Sequence, residues 1–173
     1  VQRVTRPNLD FRGYAGTVVG GEIAVGDEVM VAASLKRSRV RSIVTMDGDL
    51  QRAIRGEAVT LTLEDDIDIS QGDVLHRPGE PLERSNQFQA HLIWMHEDPM
   101  LPERSYLIRI GTQTTSVQVT DLKYAININT SEHMPATKIE LNGIAVCNFA
   151  SAQPIAFDAY SKNPETGAFI LID

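Results

Sequence analysis

Three short strings in the chain set side chains capable of chemistry at suggestive spacings. The first, "LEDDIDISQGD" (63 to 73), gathers Glu64, Asp65, Asp66 and Asp68, and places Asp66, Asp68 and Ser70 at the alternate positions from which a calcium loop supplies oxygen ligands. The pattern then breaks. Glycine comes one place late, at Gly72, and Arg77 holds the position of the closing bidentate glutamate, so the string reads as a solvated turn entering a last strand, "DVLH". The second, "KRSRVRS" (36 to 42), aligns Arg37, Arg39 and Arg41 on one strand face at a spacing that suits backbone phosphates. Against that stand a formal net charge of -7, a pI near 5.1 and the lack of interleaved aromatics. The string therefore reads as a solvated or ion-paired strand face. The third, "RPNLDFRGYAGTVVGGEIAVGDEV" (6 to 29), concentrates Gly13, Gly16, Gly20, Gly21 and Gly26. A phosphate loop needs GxxxxGK[ST] and a helix whose N-terminus faces the anion. A strand follows these glycines instead, so they read as turns and bulges, with Gly26-Asp27 expected to close a tight hairpin.

The remaining reactive residue types form no constellation. His76, His91, His96 and His133 share no ligand spacing on a common face, "HEDP" (96 to 99) is not HExxH, and no GxSxG elbow occurs. The single cysteine, Cys147 in "GIAVCNFA", has no intrachain disulfide partner and reads as a small buried residue. No catalytic, cofactor-binding or metal-binding residue is assigned.

The elements that position these strings alternate with a period of two: "VQRVT" (1 to 5), "DEVMVAA" (27 to 33), "RSRVRSIV" (37 to 44), "EAVTLTL" (57 to 63), "QFQAHLIWM" (87 to 95) and "SVQVTDLKYAI" (116 to 126). Only "GDLQRAIRG" (48 to 56) reads as helical, and it is a turn or two long. The class is all-β. At 173 residues the chain suits two compact cores, and sheets this numerous close into barrels to hide their edges. The Pro-, Gly- and charge-rich "HRPGEPLERSN" (76 to 86) separates them, giving a first barrel over 1-78, a linker over 79-84 and a second barrel over 85-173. Hydrophobic residues at 42% and charged residues at 23% fit a globular protein, and no apolar run approaches the ~18 residues of a membrane span. No signal or transit segment is expected, since Val1, Gln2 and Arg3 lead directly into strand-like sequence. A cytoplasmic location, no membrane and no nucleic-acid partner are expected, and a start on Val1 suggests an internal fragment.

Taken in order, "RGYAGTVVGGEIAVGDEVMV", "IVTMDGDLQRAIRGEAVTLTL" and "IDISQGDVL" resemble the second domain of the translational GTPases of the elongation factor Tu group, and the rest resembles their third domain. Within that group, "RPNLDFRGYAG", "SRVRSIVTMDGDLQRA", "LTLEDDIDISQGD", "WMHEDPMLP" and "TGAFILID" are similar to the large, GTP-binding subunit of bacterial sulfate adenylyltransferase, a likeness that runs over almost the whole chain. The resemblance implies two β-barrels of domain II and III type, the second lacking its last strand after "GAFILID". It also implies a place in sulfate assimilation. There a small catalytic subunit converts ATP and sulfate to adenosine 5'-phosphosulfate and pyrophosphate, and GTP hydrolysis on the large subunit, with magnesium, drives the reaction. Some relatives carry an adenylylsulfate kinase domain after the third domain.

The phosphate loop, magnesium region and guanine-reading N-K-x-D string of that family are missing here, so no catalytic residue carries over. The fragment alone is expected neither to bind GTP nor to catalyse. Its role would be to contact its own N-terminal GTPase domain and the small subunit. Arg6, Asn8, Asp10 and Arg12 in one loop, and Met100 and Leu101 in the Pro-bounded "WMHEDPMLP", are the candidate contacts; Trp94 is expected in the core. The opposing readings are a self-contained turn in which Asp10 pairs with an arginine, and packing at a barrel end. The alternative function is tRNA or RNA binding through elongation-factor-type barrels, with Arg37, Arg39 and Arg41 on the phosphates.

Overall fold

The computed structural model describes residues 1–8, 10–80 and 82–173; Leu9, in the 6 to 12 loop, and Pro81, in the expected linker, lie outside the described residues. The chain divides into two compact units. One comprises Val1–Arg84, Ile110–Gln113 and Ala156–Phe169; the other Ser85–Arg109, Thr114–Ile155 and Ile170–Asp173. The division thus falls after Arg84, but the first unit also draws on two later stretches.

In the first unit, β1 (Arg3–Thr5), β2 (Gly13–Thr17), β3 (Glu22–Ala24), β4 (Glu28–Val31), β5 (Arg37–Thr45), β6 (Gly48–Leu50), β7 (Arg52–Ile54), β8 (Ala58–Leu63) and β9 (Leu75–His76) follow one another. The main sheet runs β1-β2-β8-β5-β4-β9 with β6 on β5, and β3 pairs with β7 in a separate ribbon. Backbone bonds tie the ends of the main sheet: Val1 N donates to Asp73 O at 2.6 Å, and Gly72 N donates to Val1 O at 3.0 Å. The two bonds join the residues that lead into β1 and β9. The core of this unit holds Tyr14, Val29, Val40, Ile43, Leu61 and Ile69 among others.

Strand β5 shows how the alternation is re-aimed. Ser38 and Val40 point inward while Arg37, Arg39 and Arg41 point out, yet Ile43, an odd number of residues beyond Val40, is fully buried. A register shift against β8 between Val40 and Ser42 supplies the extra residue that switches the buried face.

Two local expectations fail in this unit. Residues 48 to 56 form no helix: β6 pairs back on β5, with Thr45 opposite Gly48, and β7 pairs with β3. The Asp47-Gly48 turn chemistry, with Gly48 at φ +119, and the burial of Ala53 at 0% exposure override the weak helical pattern. Nor does Gly26-Asp27 close a hairpin, because β3 pairs with β7 while β4 pairs with β5 and β9. It is a corner between sheets, closed by Asp27 N donating to Ala24 O at 3.1 Å and requiring φ +90 at Gly26. Gly13 meets a different demand: a Cβ there would lie 2.6 Å from Thr60 Cγ2 on β8.

β10 (Glu83–Ile93), β11 (Ser105–Ile110), β12 (Gln113–Ile126), β13 (His133–Met134), β14 (Ile144–Phe157) and β15 (Ile170–Ile172) form one sheet, most of it in the second unit, in the order β10-β14-β12-β11-β15, with β13 on β12; the one helical turn among the described residues, α1 (Pro164–Gly167), falls in the first unit. The long antiparallel pair β12 and β14 runs from Val117 opposite Ser151 to Ile126 opposite Ile144, with register shifts at Val119/Asp121 and Leu122/Tyr124 that let so long a ribbon bend. Trp94, Tyr106, Val119, Cys147 and Phe149 are buried here, Phe149 stacked on Phe88 at 5.2 Å. The fold is all-β apart from that one turn, and among the described residues no helix is long and apolar enough to cross a membrane.

Candidate functional site

The acidic string is held by arginines rather than arranged around a cation. Arg12, entering β2, donates from Nη1 to Asp66 Oδ1; its Nη2 lies 3.9 Å from Asp68, and Arg6 Nη2 lies 3.9 Å from the other oxygen of Asp66. The Arg12 guanidinium also lies 5.5 Å from the centroid of Tyr14, whose hydroxyl donates to Ile67 O at 3.2 Å. The bond from Arg12, and then its charge, hold the Asp66 carboxyl below the usual carboxylate range; the same bond raises Arg12 further. Burial pushes the Tyr14 phenol up. Asp65 turns the other way, accepting from Ser38 Oγ at 2.8 Å while its own N–H donates back to that hydroxyl at 3.0 Å. Of the candidate contact residues, Arg6 and Arg12 thus both meet Asp66. Asn8 closes the loop, its Oδ1 accepting from the N–H groups of Asp10 at 3.0 Å and Phe11 at 2.9 Å. The carboxylates that meet these arginines are Asp66 and Asp68, which lie far along the chain, rather than Asp10.

On β5, Arg37, Arg39 and Arg41 do share one outward face, and each guanidinium faces its own unit: Arg37 lies 3.9 Å from Glu28, Arg39 donates to Gly26 O at 3.2 Å, and Arg41 to Glu64 O at 2.9 Å. At the corner beside them the Asp27 carboxylate accepts from Ala24 N at 3.0 Å and Arg77 Nη2 at 2.9 Å. The backbone bond from Ala24 and the bond from Arg77 hold that carboxyl low. Arg77, the residue at which the calcium pattern failed, therefore acts as an internal clamp.

"WMHEDPMLP" folds around Trp94. Trp94 N donates to Gly143 O at 3.0 Å, Asn142 N donates to Trp94 O at 2.7 Å, and the indole Nε1 donates to Asp98 O at 2.6 Å. Tyr106 packs edge-on at 5.7 Å, and Met100 pairs with Ile139 through Met100 N to Ile139 O at 2.9 Å and Ile139 N to Met100 O at 3.1 Å. Met100 is consequently 0% exposed and offers no side-chain surface, a correction to its place among the candidate contacts; its two-bond bridge to Ile139 draws it inside. Leu101 is 46% exposed. The side chains that sequence reasoning passed over are Ile93 and Met95, 60% and 80% exposed on either side of Trp94, and Leu141, 47% exposed on the apposed turn. Their signal was the alternation itself: with Leu92 and Trp94 inside, Ile93 and Met95 must face out.

No group of histidine, cysteine, aspartate or glutamate among the described residues is arranged to hold a metal ion. Among the described residues the opening glycines sit in strands and turns, with no helix directly following them. Cys147 is buried in β14, and burial pushes its thiol up to about 11.

Residues 87–173 match the family model described as GTP-eEF1A C-terminal domain-like. Over all 173 residues the chain is 51% identical to the bifunctional enzyme NodQ of Rhizobium sp. (strain N33), covering 27% of that protein, and 48% identical to sulfate adenylyltransferase subunit 1 of Shewanella woodyi, covering 37%. The chain thus spans between about a quarter and just over a third of these relatives. A crystal structure of Sup35 complexed with GDP shares the fold, with a TM-score of 0.88 at 18% identity over 99% of this chain and 42% of that one.

Proposed function

The chain belongs to the GTP-eEF1A C-terminal domain-like family, and from that premise we propose that it is the β-domain part of the GTPase subunit of a sulfate adenylyltransferase. The observation that carries this reading is identity near one half, unbroken over the full length, to both sulfate adenylyltransferase subunit 1 and NodQ. In the parent complex GTP hydrolysis is coupled to the formation of adenosine 5'-phosphosulfate and pyrophosphate from ATP and sulfate, with magnesium serving the nucleotides. The two units act as a scaffold: they contact a GTPase domain and a small catalytic subunit in the cytoplasm, and they favour one nucleotide state by differential contacts. On this reading the chemical steps belong to the other parts of the parent complex, and the two units supply contacts to them. The loop at Arg6, Asn8, Asp10 and Arg12 in the first unit and, separately, Leu101 in the second are proposed contacts.

The rival reading, RNA binding through β5, loses force because Arg37, Arg39 and Arg41 each already face an acceptor of their own unit, in a chain of net charge -7. Grafting these 173 residues in place of the matching segment of Shewanella woodyi subunit 1 tests the proposal. The chimera, combined with the small subunit, is expected to retain GTP-stimulated formation of adenosine phosphosulfate. A chimera that folds and binds GTP but gives no stimulation would sink it.

A further inference from the structure

Asn142-Gly143 is the chain's one asparagine followed by glycine, a pair open to backbone attack on the side-chain amide because glycine sets no Cβ beside the attacking nitrogen. The fold favours that pair on two separate grounds. Asn142 is the third residue of a turn closed by Gly143 N donating to Glu140 O at 2.8 Å, and its φ of +62 lies in the left-handed region that glycine and asparagine enter most readily. A Cβ at position 143 would lie 2.7 Å from Ile139 Cγ2 and 2.8 Å from Glu140 O, so glycine alone fits there. The Asn142 side chain is exposed and makes no hydrogen bond among the described residues, which leaves its amide carbon open to the next peptide nitrogen once the backbone can rotate. The formed turn opposes that rotation. Glu140 O occupies the Gly143 N–H, and Trp94 pins the peptide unit on both flanks: Asn142 N donates to Trp94 O at 2.7 Å, and Trp94 N donates to Gly143 O at 3.0 Å.

We propose that Asn142-Gly143 is a self-modification site gated by this turn: opening of the turn lets the pair convert to isoaspartate, and the product cannot re-form both backbone bonds to Trp94. In the opened chain the Gly143 nitrogen bonds to Cγ of Asn142, and the side-chain nitrogen leaves as ammonia with the proton that the Gly143 nitrogen gives up. Water then opens the cyclic imide. Cleavage between the Gly143 nitrogen and the Asn142 backbone carbonyl carbon frees that carbonyl as a carboxylate and leaves the chain running through Cγ, whereas cleavage at Cγ gives ordinary aspartate. Water is consumed, ammonia is released, and nothing is oxidised or reduced. Isoaspartate lengthens the main chain by a methylene between the Asn142 nitrogen and the Gly143 oxygen, the two atoms that hold Trp94. A chain that has reacted here therefore carries a permanent record of having opened.

Mass spectrometry of the 173-residue chain aged in mildly alkaline buffer, either folded or in denaturant, tests the gate. Conversion at Asn142 is expected to be at least about tenfold slower in the folded chain than in the unfolded one, because only opened turns react. In denaturant it is expected to outrun conversion at Asn127, whose neighbour Ile128 is β-branched, by about tenfold or more. Trp94 is the chain's single tryptophan, so its fluorescence reads the consequence. After refolding, chains with isoaspartate at position 142 are expected to show red-shifted emission and readier acrylamide quenching than unaged chains refolded alongside. Asn142→Gly, which suits the same φ and has no side chain to be attacked, is expected to show neither change after the same ageing. Equal rates in folded and unfolded chains, Asn142 reacting no faster than Asn127 in denaturant, an unshifted Trp94 in the isoaspartyl chain, or the same shift in aged Asn142→Gly would each overturn the proposal.

Discussion

The loop at Arg12 and the loop at Trp94 are built from similar materials, acidic runs beside a buried aromatic residue, and the fold uses them in opposite ways. At Arg12 the charges turn toward one another: two arginines meet Asp66, and Tyr14 sits beside the guanidinium of Arg12. At Trp94 the indole donates to the Asp98 carbonyl and packs edge-on against Tyr106, while Ile93 and Met95 on either side face solvent. A charged motif is therefore poor evidence of a site until its partners are known.

The two methionines of the Trp94 loop give that comparison its largest expected effect. Met100→Ala should cost about 3 kcal/mol, read as a lower denaturation midpoint, because it empties a fully buried position bridged to Ile139. Met95→Ala should change stability by less than about 0.5 kcal/mol, and a large effect would mean that Met95 packs on the fold instead of standing free.

Cys147 separates interior from surface by reactivity. With its thiol pushed up to about 11 by burial, the folded chain should resist iodoacetamide at pH 8 and react once unfolded. The folded value lies above the unfolded one, so this group's contribution to stability is complete below the ordinary thiol range and declines as pH rises toward 11. Cys147→Ser should flatten that alkaline decline in a melting series.

A smaller effect is expected from Asp27, the clamp of the arginine-rich unit. Its folded carboxyl lies below the usual range, so its contribution is present above the ordinary carboxylate value and is lost as pH falls through the lower, folded one. Asp27→Asn should flatten the acid side of the stability profile below about pH 4. An unchanged acid slope would show that Arg77 and Ala24 do not hold the carboxylate in solution.

The alternation of apolar residues by itself determined much: the all-β class, the strands around Val40, Leu61, Leu92 and Val119, the outward face of Arg37, Arg39 and Arg41, and the buried Trp94 and Cys147. These follow from a side-chain period of two, a local property of the chain. The tertiary structure decided what depends on residues far apart: that Asp66 meets Arg12, that Arg77 clamps Asp27, and that Gly26 turns a corner between sheets. It also decided that residues 48 to 56 extend as strands and that Met100 lies inside while Met95 stands out. Neighbouring residues fix the period of a strand, whereas partners of charges, sheet corners and buried bridges are set by which distant strand arrives, and no local spacing encodes that.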